Sequence, residues 1–132
     1  MQEPRFVSVA GEPDGGAPAS DVVVAGGLAF VSGVRAVDLF DARVPLPENV
    51  EVQTERIFRN LDLILESAGL APRQLLGVCV YLVDFERLFE RMNTAYVECL
   101  GQAPSPARTC IGVNRLTRGA LVEMDFTVRA PF

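Results

Sequence analysis

The 132-residue chain contains no histidine and no lysine: all twelve basic residues are arginines, set against 17 acidic ones for a formal charge of −5. Without histidine there is no Ser-His or Cys-His nucleophilic catalysis within the chain. Proton transfer at neutral pH is left to a carboxylate, a cysteine, a tyrosine, the substrate or water. The three cysteines, Cys79, Cys99 and Cys110, are an odd number in apolar surroundings with no C-x-x-C or Cys/His spacing, which argues against a disulfide framework and a zinc site. No cluster of arginines could track a phosphate backbone, so nucleic acid is a poor partner. The longest apolar runs, such as "LLGVCVYLV" at 75–83, fall far short of the ~20 residues a membrane helix needs. The opening "MQEPRFVSV" has no basic-then-apolar signal layout, and the expectation is a soluble, cytoplasmic protein.

What is present fits one domain spanning 1–132, with 49% hydrophobic residues and enough length to bury a core unaided. "RFVSV" at 5–9 reads as a short strand and 10–20 as a Gly- and Pro-rich loop. "DVVVA" and "LAFVSG" flank Gly26-Gly27, a pair suited to a tight hairpin turn. The stretch 34–49 reads as a long connection that begins as strand. Ile57, Leu61, Ile64, Leu65 and Ala68 form the stripe of a helix over 51–68, closed by Gly69 at C′ with Pro72 beyond. The run at 75–84 predicts a strand buried on both faces in mid-sheet. Asp84 stands where an N-cap would, ahead of a second amphipathic helix over 85–100 that ends at Gly101. After the break at 102–107, "ARTCIGV" and "ALVEMDFTVRA" alternate as strands joined through "NRLTRG". The order predicts an α+β fold in which two helices cover one face of a single mixed sheet.

Alternation assigns candidate functions. In the last strand Val122, Met124, Phe126 and Val128 suit the core, leaving Leu121, Glu123, Asp125 and Thr127 on the other face. The same reasoning puts Arg108, Cys110 and Gly112 on the face away from the helices, opposite Thr109, Ile111 and Val113. A face so apolar in a small domain predicts a partner subunit. Arg108 is either a strand-end surface residue or a fork for a planar carboxylate. Glu123 is equally a structural partner for Arg108 or a group that orients water, and partial desolvation would bring it toward the range useful for deprotonating water. Cys110 has an arginine nearby to lower its pKa but no base, and reads as core filler. Ser32-Gly33, at a strand end, either offers backbone groups to a ligand or merely terminates the strand. "AGG" at 25–27 belongs to the hairpin turn.

"AGGLAFVSG", "QTERIFRNLDLILESAGL", "VCVYLVDFERLFERMNTAYVECLG", "PARTCIGVNRL" and "ALVEMDFTV" resemble, in order and spacing, the signature blocks of the Rid family, also called the YjgF or endoribonuclease L-PSP family. The resemblance covers nearly the whole chain. It implies a chorismate-mutase-like fold, a homotrimer whose sheets form a central β-barrel, and ligand sites in the intersubunit clefts. The implied activity is hydrolysis of 2-imino acids and their enamine tautomers to 2-keto acids and ammonia, without metal or organic cofactor, as in 2-iminobutanoate/2-iminopropanoate deaminases. By matching positions, Arg108 would clamp the substrate carboxylate and Glu123 would position the attacking water. Thr109 falls in the same substrate-binding block, and Cys110 would contribute main-chain groups. Ser32 and Gly33 would line the cleft, with Asn93 and Tyr96 near its wall.

Two features depart from that pattern: Ala19 stands where a cleft tyrosine is usual, and Val34-Arg35 follows "SG" where glutamine is common. Arg35 as a second cation would admit a larger dicarboxylic enamine such as 2-aminomuconate. The alternative from another class is a non-catalytic trimeric small-ligand-binding or chaperone-like protein. A ribonuclease, as the older family name implies, has little support in an acidic chain without histidine.

Overall fold

The computed structural model describes residues 3–9, 18–71 and 73–130. Of the loop expected at 10–20, residues 10–17 lie outside that set, as does Pro72. Six strands, β1 (Arg5–Val7), β2 (Val22–Ala25), β3 (Leu28–Val34), β4 (Leu75–Leu82), β5 (Ala107–Gly112) and β6 (Val122–Arg129), form one sheet in the order β1-β2-β3-β6-β4-β5. All neighbours are antiparallel except β4 and β5, which run parallel. The helix α2 (Phe85–Leu100) makes the crossover between those two, and α1 (Val50–Ser67) connects β3 to β4.

Both helices lie on one face of the sheet. The expected α1 stripe is buried, together with Phe58, whose ring meets Tyr96 of α2 and Phe126 of β6 edge-on at 5.6 Å each. The expected β6 set, Val122, Met124, Phe126 and Val128, is buried beneath them. Asn49 caps α1 by accepting from the Val52 N–H at 2.8 Å. At the other end the Gly69 and Leu70 N–H groups bond back to Glu66 and Leu65, the paired closure expected of glycine at C′. Two buried amides of α1 pin the 34–49 connection. Asn60 donates to the Arg35 and Val37 carbonyls, and Gln53 bridges the Pro47 carbonyl to the Leu121 N–H.

Three expectations are corrected. Within the single chain β4 is buried on one face only: Val78, Val80 and Leu82 lie under the helices, while Cys79 and Tyr81 alternate to the side that no helix covers. Asp84 takes the N-cap place of α2 in a left-handed conformation, φ 48°, and its carboxylate pairs with Arg87 instead of capping a backbone N–H. Arg108, Cys110 and Gly112 face the helices. Parallel register sets Arg108 beside Val78, Cys110 beside Val80 and Gly112 beside Leu82, all core-facing partners. These edge positions are small or amphipathic because α2 comes close over them: a Cβ on Gly112 would stand 3.2 Å from the Phe85 Cβ.

Candidate functional site

Two clusters hold the candidate residues, and the sheet separates them. The first lies on the helix side at the β5 edge. The Arg108 Nη1 donates to Asn93 Oδ1 at 2.7 Å, and the guanidinium stands 4.7 Å over the Tyr96 ring and 5.9 Å from the Phe89 ring. Phe89, Asn93 and Tyr96 are i, i+4 and i+7 on α2, one helical face aimed at one arginine. Of the five N–H donors in the fork, the one to Asn93 is taken; the others have no protein partner among the described residues. Aromatic faces and one anchored nitrogen fix a charge at a half-buried edge, with the rest of its fork available for a planar anion. Burial pushes the Tyr96 hydroxyl above its usual range against the pull of Arg108, and that hydroxyl has no partner among the described residues. Burial likewise raises the Cys110 thiol, again opposed by Arg108, so it is protonated at neutral pH and unsuited to be a nucleophile.

The second cluster lies on the opposite, uncovered face. Glu123 and Asp125 project there from β6. Asp125 accepts from the Gly33 N–H at 2.8 Å, Ser32 Oγ at 3.1 Å and the Tyr81 hydroxyl at 2.9 Å. Hydrogen bonding with Cys79, then with Asp125, holds the Tyr81 phenol protonated well beyond its usual range. Glu123 Oε1 stands 3.4 Å from Arg35 Nε. Thr109 is on this face too, exposed, beside Cys79. Ser32 and Gly33 do not end β3. They form a bulge, with Gly33 at φ 70°, a conformation glycine adopts without steric cost.

Within one chain Arg108 is therefore not paired with Glu123, which forms an ion pair with Arg35. The two expected catalytic residues sit on opposite faces and two interstrand steps apart, about 10 Å laterally before the thickness of the sheet is added. A substrate of a few heavy atoms cannot touch both in one chain. Asp125 and Tyr81 were not foreseen as site neighbours, although alternation already put Asp125 beside Glu123. A groove of about 480 Å³ between residues 45–48 and 118–121 contains none of the candidate residues. Among the described residues no group of three or more His, Cys, Asp or Glu side chains could hold a metal ion, and no helix is long and apolar enough to cross a membrane.

Comparison with known proteins gives consistent results. Residues 10–130 match the model for the family described as Endoribonuclease L-PSP. A RutC family protein of Synechocystis is 30% identical over 96% of this chain and 97% of its own length, and one of Saccharolobus solfataricus is 36% identical over 94% of each. Among solved structures, a Thermotoga maritima protein superimposes with a TM-score of 0.82 over the full length of both chains at 29% identity. The E. coli protein TdcF, crystallised with bound serine, has a TM-score of 0.76 at 25% identity over 86% of this chain and 88% of its own.

Proposed function

Since the chain belongs to the endoribonuclease L-PSP family, also called the Rid or YjgF family, we propose that it hydrolyses 2-imino acids and their enamine tautomers to 2-keto acids and ammonia. In this reading Arg108 of one copy holds the substrate carboxylate and Glu123 of a neighbouring copy orients water against C2. Water adds across the C=N bond, its oxygen to C2 and one proton to nitrogen; the carbinolamine hydroxyl then gives up the second proton to the amine as the C–N bond breaks and ammonia leaves. In this reading Glu123 carries that second proton. Fixing imine and water in attack geometry supplies several kcal/mol without a metal or organic cofactor.

The observation that carries this reading is the Arg108 fork, braced by Asn93, Tyr96 and Phe89 with donors to spare. A charge-assisted pair in such a place contributes about 1.5–3 kcal/mol. TdcF binds serine, which carries a carboxylate next to an amine-bearing carbon as a 2-imino acid does. The proposed assembly is a homotrimer with sites between copies. It is supported by the uncovered sheet face, where Phe6, Phe30 and Ile111 remain 68%, 44% and 43% exposed in the single chain. A single carboxylate suits the site better than two, because Arg35 is buried and already paired with Glu123. In a coupled assay an amino-acid oxidase or a threonine dehydratase generates the imine. This protein is expected to accelerate keto-acid release and Arg108→Ala to lose most of the gain. A normal rate in that variant refutes the mechanism, and ligand binding without acceleration identifies a non-catalytic binding protein.

A further inference from the structure

We propose that Arg35 is the positioning residue of Glu123, holding its carboxylate ionised and aimed in one direction; the inference rests on the water-orienting role given to Glu123 above. The geometry begins in β3. From the Val31–Phe126 pair, regular antiparallel pairing would bring Arg35 opposite Val122 on the helix side. The extra residue in the Ser32–Gly33 bulge shifts the register, so that Val34 pairs with Met124 and Arg35 comes to the uncovered face opposite Glu123. Asp125 secures that bulge through the Gly33 N–H and Ser32 Oγ, and buried Asn60 holds the Arg35 carbonyl at 2.9 Å from the other side. The guanidinium then meets Glu123 with side chains 7% and 23% exposed, sheltered enough for the pair to escape most solvent screening.

Among the described residues, Arg35 brings a positive charge to Glu123. Asp125 lies two residues along β6 on the same face and opposes ionisation of Glu123. Tyr81 is the cross-strand neighbour of Glu123, but it gives its hydrogen bond to Asp125 and stays neutral. Cys79 faces the same side from β4, and β5 brings only Thr109 and Ile111, which do not titrate. Arg35 supplies the positive charge, favouring the form of Glu123 that accepts a hydrogen bond from water.

The test is carboxyl-carbon and arginine-nitrogen NMR titration alongside pH–rate profiles. In the wild-type protein the Glu123 carboxyl and Arg35 Nε signals are expected to move with one common midpoint. Arg35→Gln is expected to raise the Glu123 midpoint by about one pH unit. Turnover needs the ionised carboxylate and is lost as pH falls through that midpoint, so the acid limb of kcat moves up with it. KM changes by less than about twofold because Arg108 carries the substrate carboxylate. Arg35→Lys keeps the charge and is expected to restore most of the acid limb. An unmoved Glu123 midpoint in folded Arg35→Gln overturns the proposal; should that variant not fold, separate Glu123 and Arg35 midpoints in the wild-type protein overturn it instead. Absence of imine hydrolysis by the wild-type protein would refute the deaminase reading, while the titration would still decide the role of Arg35.

Discussion

If a site needs Arg108 from one copy and Glu123 from another, two inactive variants should rescue one another. Arg108→Ala removes the carboxylate clamp, and from a charge-assisted pair of about 1.5–3 kcal/mol it should lower kcat/KM by roughly 10- to 150-fold. Glu123→Gln removes the acceptor for water and is expected to cost about 10²–10⁴, the usual range for a proton-transfer group. Unfolding and refolding an equal mixture assembles the two variants at random. A site is intact when its arginine comes from a Glu123→Gln copy and its glutamate from an Arg108→Ala copy. Each has a chance of one half, so about a quarter of wild-type activity should return. The arrangement on opposite sheet faces makes the result discriminating, since a site built within one chain could never be repaired by mixing. The assay is imine hydrolysis before and after co-refolding, with differently tagged variants and native mass spectrometry to count mixed assemblies. Mixed assemblies that form but recover no more than the sum of the separate variants would refute the two-copy site.

Other outcomes follow from the packing. Because burial keeps the Cys110 thiol protonated, Cys110→Ala should change kcat/KM by less than about threefold, and thiol reagents should label this position slowly at neutral pH. Burial raises the Cys99 and Cys110 thiols above the usual 9.0. The unfolded chain loses those protons first, so their contribution is intact below about pH 9 and declines as pH climbs through the unfolded value toward the folded ones. Tm followed from pH 8 to 11 should fall less steeply in a Cys99→Ala/Cys110→Ala protein; an identical slope would sink the assignment. Phe58→Ala removes a ring packed against Tyr96, Phe126 and the Arg73 guanidinium, and should cost about 3–5 kcal/mol in denaturant unfolding.

Local signals carried most of the fold. Period 3.6 with Gly69 at its end located α1 to within a residue, Gly26-Gly27 located the hairpin, and period 2 in β6 separated core from surface because that strand is central, with helices over one face and none over the other. Strand order and register were out of reach, being set by partners distant in sequence. β5 shows the consequence. At the edge of the sheet its core-facing positions are Arg108, Cys110 and Gly112, while Ile111 is exposed, so polarity inverted the reading of its faces. β4 misled in the opposite direction, since its apolar far side is uncovered within one chain and simulates a strand buried on both faces. The bulge at Ser32–Gly33 was equally hidden, because "SG" after an apolar run is also how a strand ends.

The helix-side position suits the proposed role of Arg108 as a clamp. On the uncovered side a lone arginine would lose much side-chain entropy to hold an anion, up to about 2 kcal/mol. On the helix side Asn93 fixes one nitrogen while Tyr96 and Phe89 confine the guanidinium, so that cost is met in folding and not on binding. Glu123 is prepared in the same manner on the other face, by Arg35 delivered through the bulge. Each of the two side chains is braced by its neighbours, and the sheet lies between them. If Arg108 and Glu123 act together as proposed, their placement on opposite faces puts the chemistry where two copies meet and makes assembly a condition of activity: dilution below the dissociation threshold should abolish turnover while leaving the fold of each copy, followed by far-UV circular dichroism, in place.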